Sequence, residues 1–371
     1  LVFTIAEGAC AGGKAPHNFW DQGICMKVFL SVLAIAVASA FGAESGAPVP
    51  PRFSVENMDR SADPKKDFAR FAYGHWLERN PIPADKSRWG GFDELAQYNW
   101  QGLKQILESN SSAANEKDSA AAKVAEFYRS ALDTNRIKEL GLKPLEADLA
   151  RIDAIKTPED LAQTLAYFHN HGVSGFFRVS VGPDQKNSDM NALHASQGGL
   201  SLPSKDYYFA ERFENIRTSF VAHVTKMLTL AGSSEEAGAK EAKTIFEVEK
   251  ALAQSSKAPV ELRDAVANYN KMSTTDLKAR LRAFPLQVYL AERAIIGPAT
   301  EEIIVGQPKF FEGLQELLAA RPLSDLKSYL RYQLLSDAAS FLSEPFEKER
   351  FHFYATILSG TPEMEPRWQR A

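Results

Sequence analysis

A chain of 371 residues, 44% hydrophobic and 24% charged, has the composition of an ordinary soluble globular protein and suffices for one large domain or two smaller ones. Its net charge of −4, with lysine and arginine scattered among acids, excludes the electrostatic footprint of a nucleic-acid binder or of a protein held on anionic lipid.

The first 57 residues stand apart. The chain opens on Leu1 and its first methionine is Met26. Met26-Lys27, an apolar run from Val28 to Ala38 and the site Ala38-Ser39-Ala40 are the parts of a secretory signal peptide, expected over residues 26–40. The run is too short for a stable membrane span. Residues 1–25 are expected to be upstream translation, and residues 41–57, rich in Pro, Ala and Ser, a flexible leader. Both cysteines, Cys10 and Cys25, precede Met26, so an exported form holds itself together by its core alone, as suits a bacterial periplasmic or extracellular protein.

From residue 58 the periodicity is mainly helical. Asp63-Pro64 pairs an N-cap with a proline at the first helical position, and Phe68, Phe71, Ala72 and Trp76 follow at helical spacing until Asn80-Pro81-Ile82-Pro83 stops the helix. Val124, Phe127, Tyr128, Ala131 and Leu132 form one apolar stripe. Thr157-Pro158-Glu159-Asp160 opens another helix, with Gly172 as its terminator. Phe176 to Val181 reads as a strand, Gly182 to Asp189 as a turn, and Asn191 to Ser196 as a returning strand. Further helical stripes are Phe213-Ile216-Phe220-Met227, Ile245-Val248-Leu252, Phe311-Leu314-Leu318 and Leu326-Leu330-Leu334. The expected fold is mainly α, a large multi-helix lobe with a small β-hairpin or sheet.

Chemistry is sparse. Of the seven histidines none has another four residues on, so the paired imidazoles of a helical zinc site are not available. His169-Asn170-His171 places its rings on different helix faces and is expected to cap carbonyls before Gly172. No Gly-x-Ser-x-Gly elbow or phosphate loop occurs. Glu249, Glu261 and Asp264 are expected on a solvated helix face. Trp76, Trp89, Trp100 and Trp368 are expected in the core or at a lobe interface.

Asp63 to Trp76, with its D-x-x-x-D-F-x-x-[FY]-x-x-G-x-W pattern, nevertheless resembles the opening of the neprilysin, endothelin-converting enzyme and PepO-type zinc metallopeptidases. The resemblance continues in order through Asn80 to Pro83, Ser87 to Leu95, Lys123 to Ser130, Asp184 to Ser188, Gln197 to Tyr208, Glu249 to Met272, Val305 to Pro308 and Leu358 to Trp368. It covers about residues 58–371 and implies the amino-terminal domain of an exported peptide hydrolase. The family's H-E-x-x-H helix, its third ligand and its N-A-[FY]-Y strand have no counterpart here. The resemblance therefore implies Zn²⁺ in the full-length parent, none bound by this chain, and a carboxy-terminal catalytic domain as its partner. It also implies one substrate contact: the arginine of S-R-[YW]-G-x-F-D, Arg88 here, reaches the terminal carboxylate of a peptide, for which a planar guanidinium is suited. The alternative for Arg88 is a loop tie to Asp93. The alternative for the chain is a stand-alone, non-catalytic peptide-binding module or scaffold.

Overall fold

The computed structural model describes residues 54–112, 119–295, 297 and 300–371. The stretches 1–25 and 26–40 and most of the 41–57 leader lie outside the described residues. Its last residues, Val55–Asn57, form a 3-10 turn capped by Ser54, and the Arg79 Nη2 donates to Asn57 Oδ1 at 2.8 Å. The chain divides into two compact units. One takes in the described residues up to Pro83 with Arg88–Glu126; the other is Ala84–Ser87 with Phe127–Ala371.

The first unit is built on α1 (Phe68–Arg79) and α2 (Gly91–Ser112), and most of α3 (Ala120–Leu132) also falls in it. The cap of α1 lies four residues later than Asp63 predicts: the Asp67 carboxylate accepts from Arg70 N, whereas Asp63 closes the preceding turn on Lys65 N. The helix does stop at Asn80, whose side chain donates to Trp76 O. Asp59 is buried against α1. The Ser61 hydroxyl and then the Arg70 guanidinium, 2.9 Å away, hold its carboxyl down at about 2. A Cβ at Gly74 would stand 2.8 Å from Asp59 Cβ, so the glycine of G-x-W is what lets the helix approach this acid.

The second unit carries the core. Its helices are α4 (Thr134–Leu140), α5 (Glu146–Asp153), α6 (Pro158–Asn170), α7 (Asp206–Phe209), α8 (Glu214–Leu230), α9 (Glu235–Ser255), α10 (Pro259–Leu262), α11 (Thr274–Arg280), α12 (Leu286–Glu292), α13 (Pro308–Ala320), α14 (Leu323–Ala338), α15 (Glu344–Phe351) and α16 (Arg367–Arg370), with a π-helix over His352–Ile357. Thr157 caps α6 as its sequence predicts, in a full capping box with Asp160. The central helix is α9. It buries Ala242, Ile245, Val248 and Leu252 at helical spacing and packs on α8, α13 and α14. Each such large apolar side chain contributes about 1.5–3 kcal/mol by its burial.

The expected hairpin is present as β1 (Phe177–Asp184) and β2 (Asn187–Gln197), with a turn shorter than the composition of Gly182 to Asp189 predicts. Two strands went unread: β3 (Asn270–Ser273) and β4 (Glu302–Val305) complete a mixed sheet of order β1-β2-β4-β3. Four residues give too short an alternation to detect, and the partner of β4 is β2, over a hundred residues earlier.

None of Trp76, Trp89, Trp100 and Trp368 belongs to the buried core, which removes the core half of the expectation for them. The stripe on α3 is likewise split: Tyr128 is buried, while Val124 and Phe127 are exposed.

Candidate functional site

Arg88 sits just before α2 in the first unit. Gly90 O accepts from Asp93 N and Glu94 N and so starts the helix, whose first turn carries Asp93 and Glu94 against its positive end. The Arg88 Nε is 3.5 Å from Asp93 Oδ1, yet its side chain remains 83% exposed. The tie to Asp93 is thus made at the edge of ion-pair distance, and most of the guanidinium faces solvent. An exposed pair of this length holds little energy, so the arginine is free to change partners.

In the second unit the matched segments converge on one polar network. Glu249, expected on a solvated face, is instead fully buried within α9, because residue 249 shares the inward stripe with Ile245, Val248 and Leu252. Its carboxylate accepts from Ser201 Oγ at 2.6 Å, Ser201 N at 3.2 Å, Tyr208 Oη at 2.6 Å and Gln333 Nε2 at 3.0 Å. Burial pushes its pKa up to about 7 against the pull of those donors. The other two acids are exposed, as expected, and serve as caps: Glu261 accepts from Ala258 N, and Asp264 from Val266 N and Ala267 N.

The loop from Gln197 to Tyr208 is fixed by the same network. Tyr208 Oη also accepts from Leu202 N, and Tyr329 Oη donates to Gly199 O at 2.9 Å while accepting from Phe176 N at 3.0 Å. Gly199 has φ of +76°, and a Cβ there would stand 2.6 Å from Tyr329 Oη and 2.8 Å from Phe176 Cα. No other residue fits. Gln197 Nε2 donates to Lys257 O, and its backbone N–H to Gln307 Oε1, which joins the V-G-Q-P segment to the loop. Asp184, the first residue of D-x-K-N-S, accepts from Lys186 N and from Tyr269 Oη. Arg367 donates through Nε and Nη2 to Ala131 O at the end of α3, and through Nη1 to Glu347. Motifs scattered over the sequence are therefore parts of one scaffold.

In front of this scaffold lies a cavity of about 510 Å³ whose walls come from the end of α6, from β1, the 198–201 loop, α14, α15 and the π-helix. His169 lines it. Its Nδ1 accepts from Tyr289 Oη at 2.7 Å and its Nε2–H donates to Gly175 O at 3.2 Å, while burial lowers its pKa to about 4. The ring is therefore a neutral structural link and not the helix cap expected. His171 does cap, with Nδ1 2.7 Å from Tyr167 O. Among the described residues no group of three His, Cys, Asp or Glu side chains is arranged to hold a metal ion. Zinc does not fit these residues, and no metal-dependent step can be assigned to them.

The second unit is thus a helical lobe with a four-stranded sheet, in which a polar loop network backs a cavity. The family model for Peptidase family M13 matches residues 64–371. The chain belongs to peptidase family M13, a family of zinc metalloendopeptidases. It is 29% identical over 327 residues to endothelin-converting enzyme 1 of Homo sapiens, covering 85% of this chain and 42% of that protein. Neprilysin-3 of Drosophila melanogaster is 26% identical over 337 residues, with 85% and 42% covered. The crystal structure of Mycobacterium tuberculosis zinc metalloprotease Zmp1 in complex with an inhibitor superposes with a TM-score of 0.82 at 27% identity, over 87% of this chain and 49% of that one. The chain thus spans less than half the length of these relatives. Arg88 belongs to the first unit and the cavity is lined by residues of the second.

Proposed function

We propose that this chain is the amino-terminal part of an exported zinc metalloendopeptidase, in which residues 127–371 form a helical wall limiting access to the reaction chamber. The observation that carries this reading is the family match over residues 64–371, set beside coverage of only 42% to 49% of the relatives' length. The residues supporting peptide hydrolysis, Zn²⁺ and its ligands included, belong to a carboxy-terminal domain outside these 371 residues, and this chain alone is inactive. Among the described residues no helix is long and apolar enough to cross a membrane. The signal-peptide pattern at Met26 to Ala40 supports export.

Exposed apolar side chains of the first unit support the same partner. On α2, Phe92, Leu95, Leu103 and Ile106 fall on one helical face and all are exposed. A face of this kind is covered in the mature protein. Arg88, at the start of the same helix, anchors the carboxylate of the peptide substrate. Its exchange of the weak Asp93 pair for a bidentate carboxylate bond is favourable.

The test is the nucleotide sequence beyond the codon for Ala371. An in-frame H-E-x-x-H supports the peptidase; a stop codon there favours the stand-alone peptide-binding module. In the longer protein, Arg88→Gln raises KM about tenfold for peptides with a free carboxylate and leaves their amides unchanged. Equal effects on acid and amide would assign Arg88 to the loop.

A further inference from the structure

We infer that the 510 Å³ cavity of the second unit is a binding site for an acidic peptide segment. Arg178 of β1, Arg293 after α12 and Arg350 of α15 all line it. Buried guanidinium nitrogens normally have acceptors, yet among the described residues the Nε atoms of Arg293 and Arg350 are buried with none. Arg293 donates through Nη1 to the Tyr289 hydroxyl at 3.3 Å and lies over the Tyr289 ring at 5.9 Å, and Arg350 lies over the Tyr354 ring at 5.4 Å. The Arg178 side chain has no hydrogen bond or ion pair among the described residues. The one carboxylate on the wall is Asp337, which is already taken by Ser174 N at 2.6 Å. Three cations thus share one acid, whose carboxylate is hydrogen-bonded to Ser174 and whose pKa burial raises against the pull of the Arg350 charge.

The shape of the site selects a peptide. A volume of 510 Å³ holds a few residues of chain rather than a single small ion. Phe177 to Ser180 of β1 form part of the wall, and β1 is an edge strand that pairs only with β2. An extended segment can lie along such an edge through main-chain hydrogen bonds, while alternate side chains point into the cavity. Aspartate or glutamate side chains there would supply planar acceptors for the guanidinium forks. Ser201 and Gln333 of the wall are both bonded to Glu249, and the π-helix, a distortion often found at functional sites, adds Tyr354 to the lining. The choice of a peptide ligand rests on the peptidase reading above and extends it to a preference for acidic sequences.

The test uses the full chain and a pair of fluorescently labelled heptapeptides, both acetylated and amidated at their ends. One carries a central Asp-Glu pair and the other Asn-Gln. Binding is followed by anisotropy. The acidic peptide is expected to bind at least about tenfold tighter than its neutral twin. Arg178→Gln, an exposed position whose change leaves the fold intact, and Arg350→Gln each reduce that preference to about twofold or less. Arg136→Gln, on an exposed helix elsewhere in the unit, leaves it unchanged. Equal affinity for the twins, or a preference that survives both Arg178→Gln and Arg350→Gln in protein with unaltered circular dichroism, would overturn the assignment. Because this readout needs no cleavage, its failure removes the acidic site alone; absence of a metal motif beyond Ala371 removes the peptidase reading and leaves the titration standing.

Discussion

The two units of this chain are opposites in how they are held together. Residues 127–371 bury long apolar stripes on α8, α9, α13 and α14 around a sheet, and the carboxylate buried among them, Glu249, is met by four donors. In the first unit, among the described residues, no apolar side chain before Ala125 is fully buried, and Phe92 is 90% exposed. Its order comes from local polar devices: the Asp67 cap, the Asp59–Arg70 pair and the Arg79 bonds to the 55–57 turn. A cap contributes roughly 1 kcal/mol, far less than a core. The lesson is that amphipathic helices show where a core is needed, not that the chain at hand supplies it.

The largest contrast lies in two glycines. Gly199→Ala forces a left-handed backbone on alanine and drives its Cβ into Tyr329 Oη and Phe176, so it costs on the order of 3 kcal/mol in denaturant unfolding. Gly74→Ala meets Asp59 equally closely but perturbs only the first unit, and shifts the main transition by less than about 1 kcal/mol. Equal losses would show that the two units unfold as one.

The second contrast is within the core and depends on pH. Glu249 has a folded-state pKa of about 7, above its ordinary 4.5, so the folded protein holds the extra proton. Its contribution is complete below pH 4.5 and is lost as pH rises towards 7. His169, lowered to about 4 from 6.5, has the opposite sign: its contribution is complete above 6.5 and is lost as pH falls towards 4. The stability advantage of wild type over Glu249→Gln should therefore shrink by on the order of 3 kcal/mol from pH 4.5 to 7.5. Its advantage over His169→Asn should grow across pH 4 to 6.5. Urea midpoints measured across this range decide it; curves parallel to wild type would contradict both assignments.

Much of this was readable from residues alone, and the gaps have physical causes. Thr157-Pro158 and the α9 stripe were legible because caps and period 3.6 are local signals. Glu249 was misread because its environment is made by Ser201, Tyr208 and Gln333, which lie 48, 41 and 84 residues away. Its place on the stripe of Ile245 and Leu252 was the available signal. The strands β3 and β4 were lost for the same non-local reason. The arginines of the cavity were missed because Arg178, Arg293 and Arg350 are ordinary surface letters until β1, α12 and α15 bring them together. Arg88 was legible only through family resemblance, since nothing in its spacing to Asp93 distinguishes a substrate clamp from a loop tie.

The smallest expected effect probes the apolar face of α2. Replacing Phe92, Leu95 and Leu103 by serine should lower the fluorescence of an apolar-surface dye by about half, yet leave stability within about 0.5 kcal/mol per site. A large loss of stability would mean that the face is buried against something within the chain.

Amide hydrogen exchange of the full chain tests the division between the units most directly. Slow exchange should be confined to residues 127–371, above all on α9 and α14, while α1 and α2 exchange on the scale of local fraying. Protection of α1 and α2 equal to that of α9 would contradict the account, because it would require a core that the first unit does not have.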